Sequence, residues 1–236
     1  MNLGILKCDS VSDVFVAEHG QYPEMFATLL HAVDPTIKFT VFDAEHGELP
    51  TDIDVVDAYL ITGSRHGVND GSPWITQLEQ FVRHLYDAQK KVIGICFGHQ
   101  LIAKALGGKV IKSPKGWGVG MSQNNLVQHK EWMKSSNPFF NVLVSHQDQV
   151  VVLPPEAEVL ASSDFCPFYM IQTGDHFFSI QGHPEFTKGY SRALMISRED
   201  SINKLEFEQG MNSLGMHEDS HLIAEWIINF LAETKR

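Results

Sequence analysis

The sequence predicts an α/β fold: a mostly parallel central sheet with helices on both faces and extra helices at the C-terminus. Three observations carry this. Short apolar runs alternate with helical patterns through the first half, the rhythm of strand, helix and parallel strand. One such run, Lys91-Val92-Ile93-Gly94-Ile95, passes straight into Cys96 and a helical pattern, so a strand there turns sharply into a helix. Near the end, Leu222, Ile223, Trp226, Ile227, Phe230 and Leu231 recur with the period of an amphipathic helix.

The elements follow in order. Leu3–Leu6 reads as the first strand and Pro23–Ala32 as the first helix, with Ile37–Phe42 and Ala58–Thr62 as the next strands. Ser72-Pro73 is a helix start, Ser as N-cap and Pro at the first helical position. Ile75, Leu78, Phe81, Val82 and Leu85 then share one helical face. Val92–Ile95 is the next strand, and its helix runs to Leu106 before Gly107-Gly108 stops it. From Lys109 to Gln181 the texture becomes β-type, with Val142–Ser145, Gln149–Leu153, Glu158–Ala161, Phe168–Gln172 and Phe177–Gln181 as candidate strands. No repeat, low-complexity tract or linker interrupts the chain. It reads as a single domain over residues 1–236, in which about 186–236 form a helical extension packed on the rest.

Composition narrows the class. The chain has 236 residues, 43% of them hydrophobic and 20% charged, enough for a substantial core. A formal net charge of -11 argues against a nucleic-acid partner, which would need a basic face. No run approaches a membrane span, and the N-terminus carries a charge too early for a signal peptide. Cys8, Cys96 and Cys166 make no Cys-x-x-Cys unit and no paired framework, so free thiols and a cytoplasmic setting are expected.

Cys96 carries the chemistry. Glycines two before and two after it leave room for a tight turn, and the helix N-terminus beyond favours a thiolate. A thiol nucleophile needs a base, and the base an orienting group. Gln181-Gly182-His183-Pro184-Glu185 supplies both at the end of a strand. His183 and Glu185 are two apart and point the same way in extended backbone, which Pro184 enforces.

With those two motifs, Gly94-x-Cys96-x-Gly98-His99-Gln100 and Gly182-His183-Pro184-Glu185, the chain resembles the class I glutamine amidotransferase domains, in particular the GMP-synthetase-like group. The likeness spans roughly Leu3 to Glu185 and implies a flavodoxin-like fold, with Cys96 as nucleophile, His183 as base and Glu185 as its partner. It also implies an oxyanion hole from the N–H of Gly63 or Ser64 and that of Phe97, and substrate contacts from Gln100 and from Ser145-His146-Gln147-Asp148. Thr62-Gly63-Ser64-Arg65-His66 departs from the family's Gly-Gly-Pro-Gly loop, lacking its Pro and second Gly.

The reaction implied is hydrolysis of a glutamine γ-amide through a Cys thioester. The substrate would be a small molecule, with no cofactor. No Ser-Gly-Gly-x-Asp-Ser loop of a nucleotide-activating domain occurs, so any synthase would be a separate subunit. A free-standing γ-glutamyl hydrolase or peptidase uses the same steps and stands as the alternative. A Cys-nucleophile α/β-hydrolase, with Asp164 or Asp175 as the acid, is a remote third because it leaves His-Pro-Glu unexplained. His217-Glu218-Asp219-Ser220-His221 matches His-Glu-x-x-His, but at the start of a helix and without a third ligand by spacing, so no metal site is read there. Cys8 and Cys166 read as structural; His66, His99 and His146 are candidates to line the pocket; and Gly116-Trp117-Gly118-Val119-Gly120 reads as a tight turn.

Overall fold

The computed structural model describes residues 1–134 and 137–233. Its strands are β1 (Asn2–Lys7), β2 (Lys38–Asp43), β3 (Ala58–Ile61), β4 (Lys91–Ile95), β5 (Lys109–Lys112) and β6 (Gly118–Leu126). They continue as β7 (Phe139–His146), β8 (Asp148–Val152), β9 (Ala157–Ser162), β10 (Met170–Thr173) and β11 (Phe177–Ile180). The helices are α1 (Asp13–His19), α2 (Tyr22–His31), α3 (Pro73–Asp87), α4 (Phe97–Ala105), α5 (Lys188–Ser197), α6 (Lys204–Ser213) and α7 (Ser220–Ala232).

Nine strands form one sheet in the order β2-β1-β3-β4-β11-β10-β9-β6-β7, while β5 pairs with β8 apart from it. The run from β2 to β11 is parallel; the ladders beyond β11 are antiparallel. The inner parallel strands β1, β3, β4 and β11 are mostly apolar because both their faces are covered, whereas β2, at the sheet edge, is partly exposed. Neighbouring residues serve opposite faces. Ile5, Leu60, Ile93 and Phe178 pack with Phe26 and Leu30 of α2 and Trp226 and Phe230 of α7. Leu6, Tyr59, Val92 and Phe177 pack with Leu78, Val82 and Leu85 of α3 and Leu101 of α4. A third cluster seats Tyr190, Leu194 and Met195 of α5 on Met121 of β6 and Leu143 of β7.

Most expected elements appear within a residue or two. Two do not. Helix α1 was not anticipated, since none of its seven side chains is buried and no apolar stripe shows in the sequence. The glycine-rich segment read as a tight turn instead opens strand β6 at Gly118, against which α6 packs; its turn lies just upstream. Strand β5 also went unseen.

This topology fixes where ligands go. Strand β1 leads outward to β2 while its other neighbour β3 leads the opposite way to β4, so the chain connections diverge between β1 and β3. In such sheets a crevice opens beyond the carboxyl ends of the strands. The segments after β1, β3, β4 and β11 all emerge at that edge. No helix among the described residues is long and apolar enough to cross a membrane.

Candidate active site

Cys96 sits between β4 and α4 with φ 50 and ψ -97, a left-handed backbone that a residue with a Cβ rarely adopts. Its N–H donates to the Ile180 carbonyl at 2.9 Å, the last rung tying the turn to β11. The flanking glycines are sterically required. A Cβ on Gly98 would stand 2.5 Å from the Ile61 carbonyl oxygen, and one on Gly94 2.8 Å from the Gly98 backbone.

Strand β11 pairs with β4 through Ile180↔Ile95, so the segment after β11 emerges beside the elbow. His183 there is buried, and its Nδ1 lies 2.8 Å from Glu185 Oε1. Cys96 is its other electrostatic neighbour. Burial works to lower the His183 pKa, but the charges of Cys96 and Glu185 outweigh it and push the value up to about 10. Phe186 stacks on the imidazole at 3.9 Å between ring centroids and 10° between planes, which fixes the ring's tilt. Glu185, not Asp164 or Asp175, therefore partners the ring. Asp175 lies at the opposite end of β11, where its carbonyl accepts from Lys91.

Residues 21–200 match the family described as glutamine amidotransferase class-I. The chain belongs to that family. γ-Glutamyl peptidase 3 of Arabidopsis thaliana is 37% identical over 159 residues, 64% of this chain and 64% of that protein. A glutamine-hydrolysing GMP synthase of Aeropyrum pernix is 30% identical over 180 residues, 75% of this chain but 33% of that one. A glutamine amidotransferase from Thermotoga maritima superposes with a TM-score of 0.75 at 17% identity, covering 98% of both chains. The chain is thus an enzyme of the class I amidotransferase and γ-glutamyl hydrolase family.

In this chain a cavity of about 600 Å³ opens at Cys96. Ser64, Phe97, Gln100, Ser145, His146 and Gln147 line it, bringing most of the sequence-derived candidates to one place. Gly63 stands at its back, where a Cβ would lie 2.7 Å from His183 Cε1 and 3.7 Å from Cys96 Cβ. Among the described residues, the N–H groups of Gly63, Ser64 and Phe97 donate to no other group, as an oxyanion site needs. The Gln100 amide donates to the Asp148 carbonyl at 2.8 Å and to Gln181 Oε1 at 3.1 Å; Gln181 in turn donates to Cys96 Sγ at 3.5 Å. Gln181 was overlooked in the sequence, although it stands two residues before His183 in the same motif. Arg198 and Trp117 also line the cavity, the guanidinium 5.7 Å from the indole and bonded to Ser145 Oγ at 2.9 Å. Nothing in their local sequence announces them.

The remaining candidates separate. His66 lines the cavity, but His99 is wholly buried, with Nδ1 on Ser179 Oγ at 2.9 Å. Cys8 and Cys166 are buried thiols whose pKa values rise through burial, that of Cys166 to about 12. His217 precedes α7 and pairs with Asp219, whereas His221 pairs with Glu225 within the helix. Asp43, Glu45 and His46 bring ligand atoms within 4.8 Å of one another, but Asp43 is already bonded to Lys7 and His46.

Burial holds His99 and His146 neutral, at about 3 and about 4 against an ordinary 6.5. An imidazole whose folded pKa is depressed stabilises the fold fully above pH 6.5 and loses that contribution as pH falls through its folded value. Unfolding free energy is therefore expected to decline between about pH 6.5 and about 4, by up to ~1.4 kcal/mol per pH unit for each ring. His99→Asn should flatten that slope by one ring's share; denaturant titrations with the parental slope would remove His99 from the account.

Proposed function

We propose that the chain hydrolyses the γ-amide bond of a glutamyl compound, with Cys96 as nucleophile, His183 as general base and acid, and Glu185 orienting the imidazole. What carries this is the strained Cys96 elbow facing an imidazole whose far nitrogen is held by Glu185 at 2.8 Å. His183 holds at Nε2 the proton taken from the Cys96 thiol, as its raised pKa favours, and the thiolate attacks the γ-carbonyl carbon. The oxyanion formed lies toward the N–H groups of Gly63, Ser64 and Phe97. As the C–N bond breaks, His183 returns the proton to the leaving amine, and a γ-glutamyl thioester remains on Cys96. Water, deprotonated by His183, then releases glutamate and restores the thiol. Gln100, Ser145, His146 and Gln147 would hold the glutamyl end.

Ammonia or a larger amine can leave by these same steps. Two observations favour the larger amine. The cavity of about 600 Å³ exceeds what glutamine fills, and the relatives named γ-glutamyl peptidase are 31–37% identical, against 28–30% for the GMP synthases. A glutaminase working with a separate synthase subunit is the second reading, supported by those GMP synthase relatives. We read the chain as one domain, and its free thiols as those of a cytoplasmic enzyme.

The test follows glutamate release from glutamine and from γ-glutamyl dipeptides by the purified full chain. A kcat/KM at least about tenfold higher for a dipeptide, worth ~1.4 kcal/mol of transition-state binding, is expected. Turnover of glutamine alone overturns the peptidase reading, and activity surviving in Cys96→Ser overturns both.

A further inference from the structure

On the proposed mechanism the loop after β3, Thr62-Gly63-Ser64-Arg65, must hold two N–H groups still against a developing charge. We propose that Asp9, just past the end of β1, is the positioning residue that does so, by clasping Arg65 and fixing the Gly63 and Ser64 N–H groups beside Cys96. The inference rests on the reading of Cys96 and its oxyanion site given above.

The contacts are specific. The Asp9 side chain is 3% exposed, whereas that of Arg65 is 55% exposed. Asp9 Oδ2 accepts the main-chain N–H of Arg65 at 2.8 Å. Its Oδ1 accepts Arg65 Nε at 2.8 Å, Arg65 Nη2, and the Ser10 N–H at 2.7 Å. The guanidinium thus offsets the buried charge, while the second oxygen grips the loop backbone itself. These are charge-assisted bonds with little freedom of geometry.

The loop is held equally firmly upstream. Thr62 N–H donates to the Leu6 carbonyl at 3.2 Å, and Thr62 Oγ1 accepts the Cys8 N–H at 2.9 Å. Gly63 and Ser64 therefore hang between two anchors, both supplied by the end of β1. Asp9 also decides which donors remain. It consumes the Arg65 N–H and leaves those of Gly63 and Ser64 without a partner among the described residues. The tolerance is narrow, because an added Cβ at Gly63 would already press on His183.

Asparagine cannot substitute. One of its two terminal atoms is an NH₂ donor, which must face either the Arg65 N–H or the guanidinium, both donors themselves. Lysine at position 65, in contrast, keeps the main-chain N–H and a positive charge.

The experiment compares Asp9→Asn, Arg65→Ala and Arg65→Lys with the parent on the best γ-glutamyl substrate. Alongside kcat and KM, it records the alkylation rate of Cys96 by iodoacetamide, a displacement that forms no oxyanion. For Asp9→Asn, kcat should fall by about 100-fold, the scale of losing one oxyanion donor, with KM and the alkylation rate within about threefold of the parent. Arg65→Lys should restore most of the activity that Arg65→Ala loses. If kcat in Asp9→Asn stays within about twofold, or alkylation slows in step with it, the clasp is not positioning the oxyanion donors. Should Asp9→Asn fail to fold, Arg65→Ala decides alone, its side chain being exposed enough to spare the core. An active Cys96→Ser protein would indict the nucleophile assignment; an inactive one beside a fully active Asp9→Asn would indict only the clasp.

Discussion

Cys96→Gly is expected to release no glutamate from any γ-glutamyl substrate while melting above the parent protein. On the proposed mechanism the loss of turnover follows from removing the sulfur that would carry the thioester; deleting a nucleophile of this kind costs roughly 10⁵- to 10⁶-fold in kcat. The gain in stability follows from the backbone. At φ 50 and ψ -97 the residue sits where a side chain is strained by about 1–3 kcal/mol, and glycine is not. Against this stands glycine's greater freedom in the unfolded chain, about 0.5–1 kcal/mol. The balance corresponds to a rise in Tm of about 2–6 °C for a chain of this size. A calorimetric scan reads the second effect and a glutamate assay the first. A Cys96→Gly protein that melts below the parent would mean the elbow is not strained.

Glu185→Gln is the second large effect. The carboxylate accepts from His183 Nδ1 at 2.8 Å, which on the proposed mechanism leaves Nε2 to hold the proton taken from the Cys96 thiol. A glutamine amide can present its NH₂ to Nδ1 instead, so the proton moves to Nε2, the nitrogen that should act as base. The imidazolium also loses the partner charge that helps hold its pKa near 10. A drop in kcat of about 10²- to 10⁴-fold is expected, short of the loss in Cys96→Gly because the nucleophile and oxyanion donors remain. The group titrating as imidazolium should shift to lower pH. Pre-steady-state acylation across a pH series would record both changes; an unchanged profile would mean Glu185 does not govern the base.

Much of this was legible in the sequence, for reasons that can be named. The inner parallel strands are buried on both faces, so each is a mostly apolar run, and the elbow needs its glycines because a Cβ on Gly94 or Gly98 would meet backbone. His183 and Glu185 are neighbours along one chain segment, so their pairing could be read from spacing alone. The limits are equally physical. Helix α1 buries none of its side chains, and β6 is rich in Gly and Asn, so neither shows a period. Asp9 and Arg65 are 56 positions apart, and Arg198 reaches Ser145 across 53; sequence spacing cannot reveal such pairs. Gln181 lay inside a motif already singled out, but its amide points at Cys96 only once β11 is laid beside β4.

The adjacency of β4 and β11 has a wider consequence. Cys96 follows β4 directly and His183 comes three residues after its hydrogen-bonded neighbour β11, so their proximity is set largely by the sheet's own pitch. The outer wall, with Trp117 and Arg198, comes from segments that belong to neither strand. Bond-breaking and the choice of what is broken are therefore written in separate parts of the chain. On the proposed mechanism, substitutions at Trp117 and Arg198 are therefore expected to change which amine leaves without disturbing Cys96 and His183.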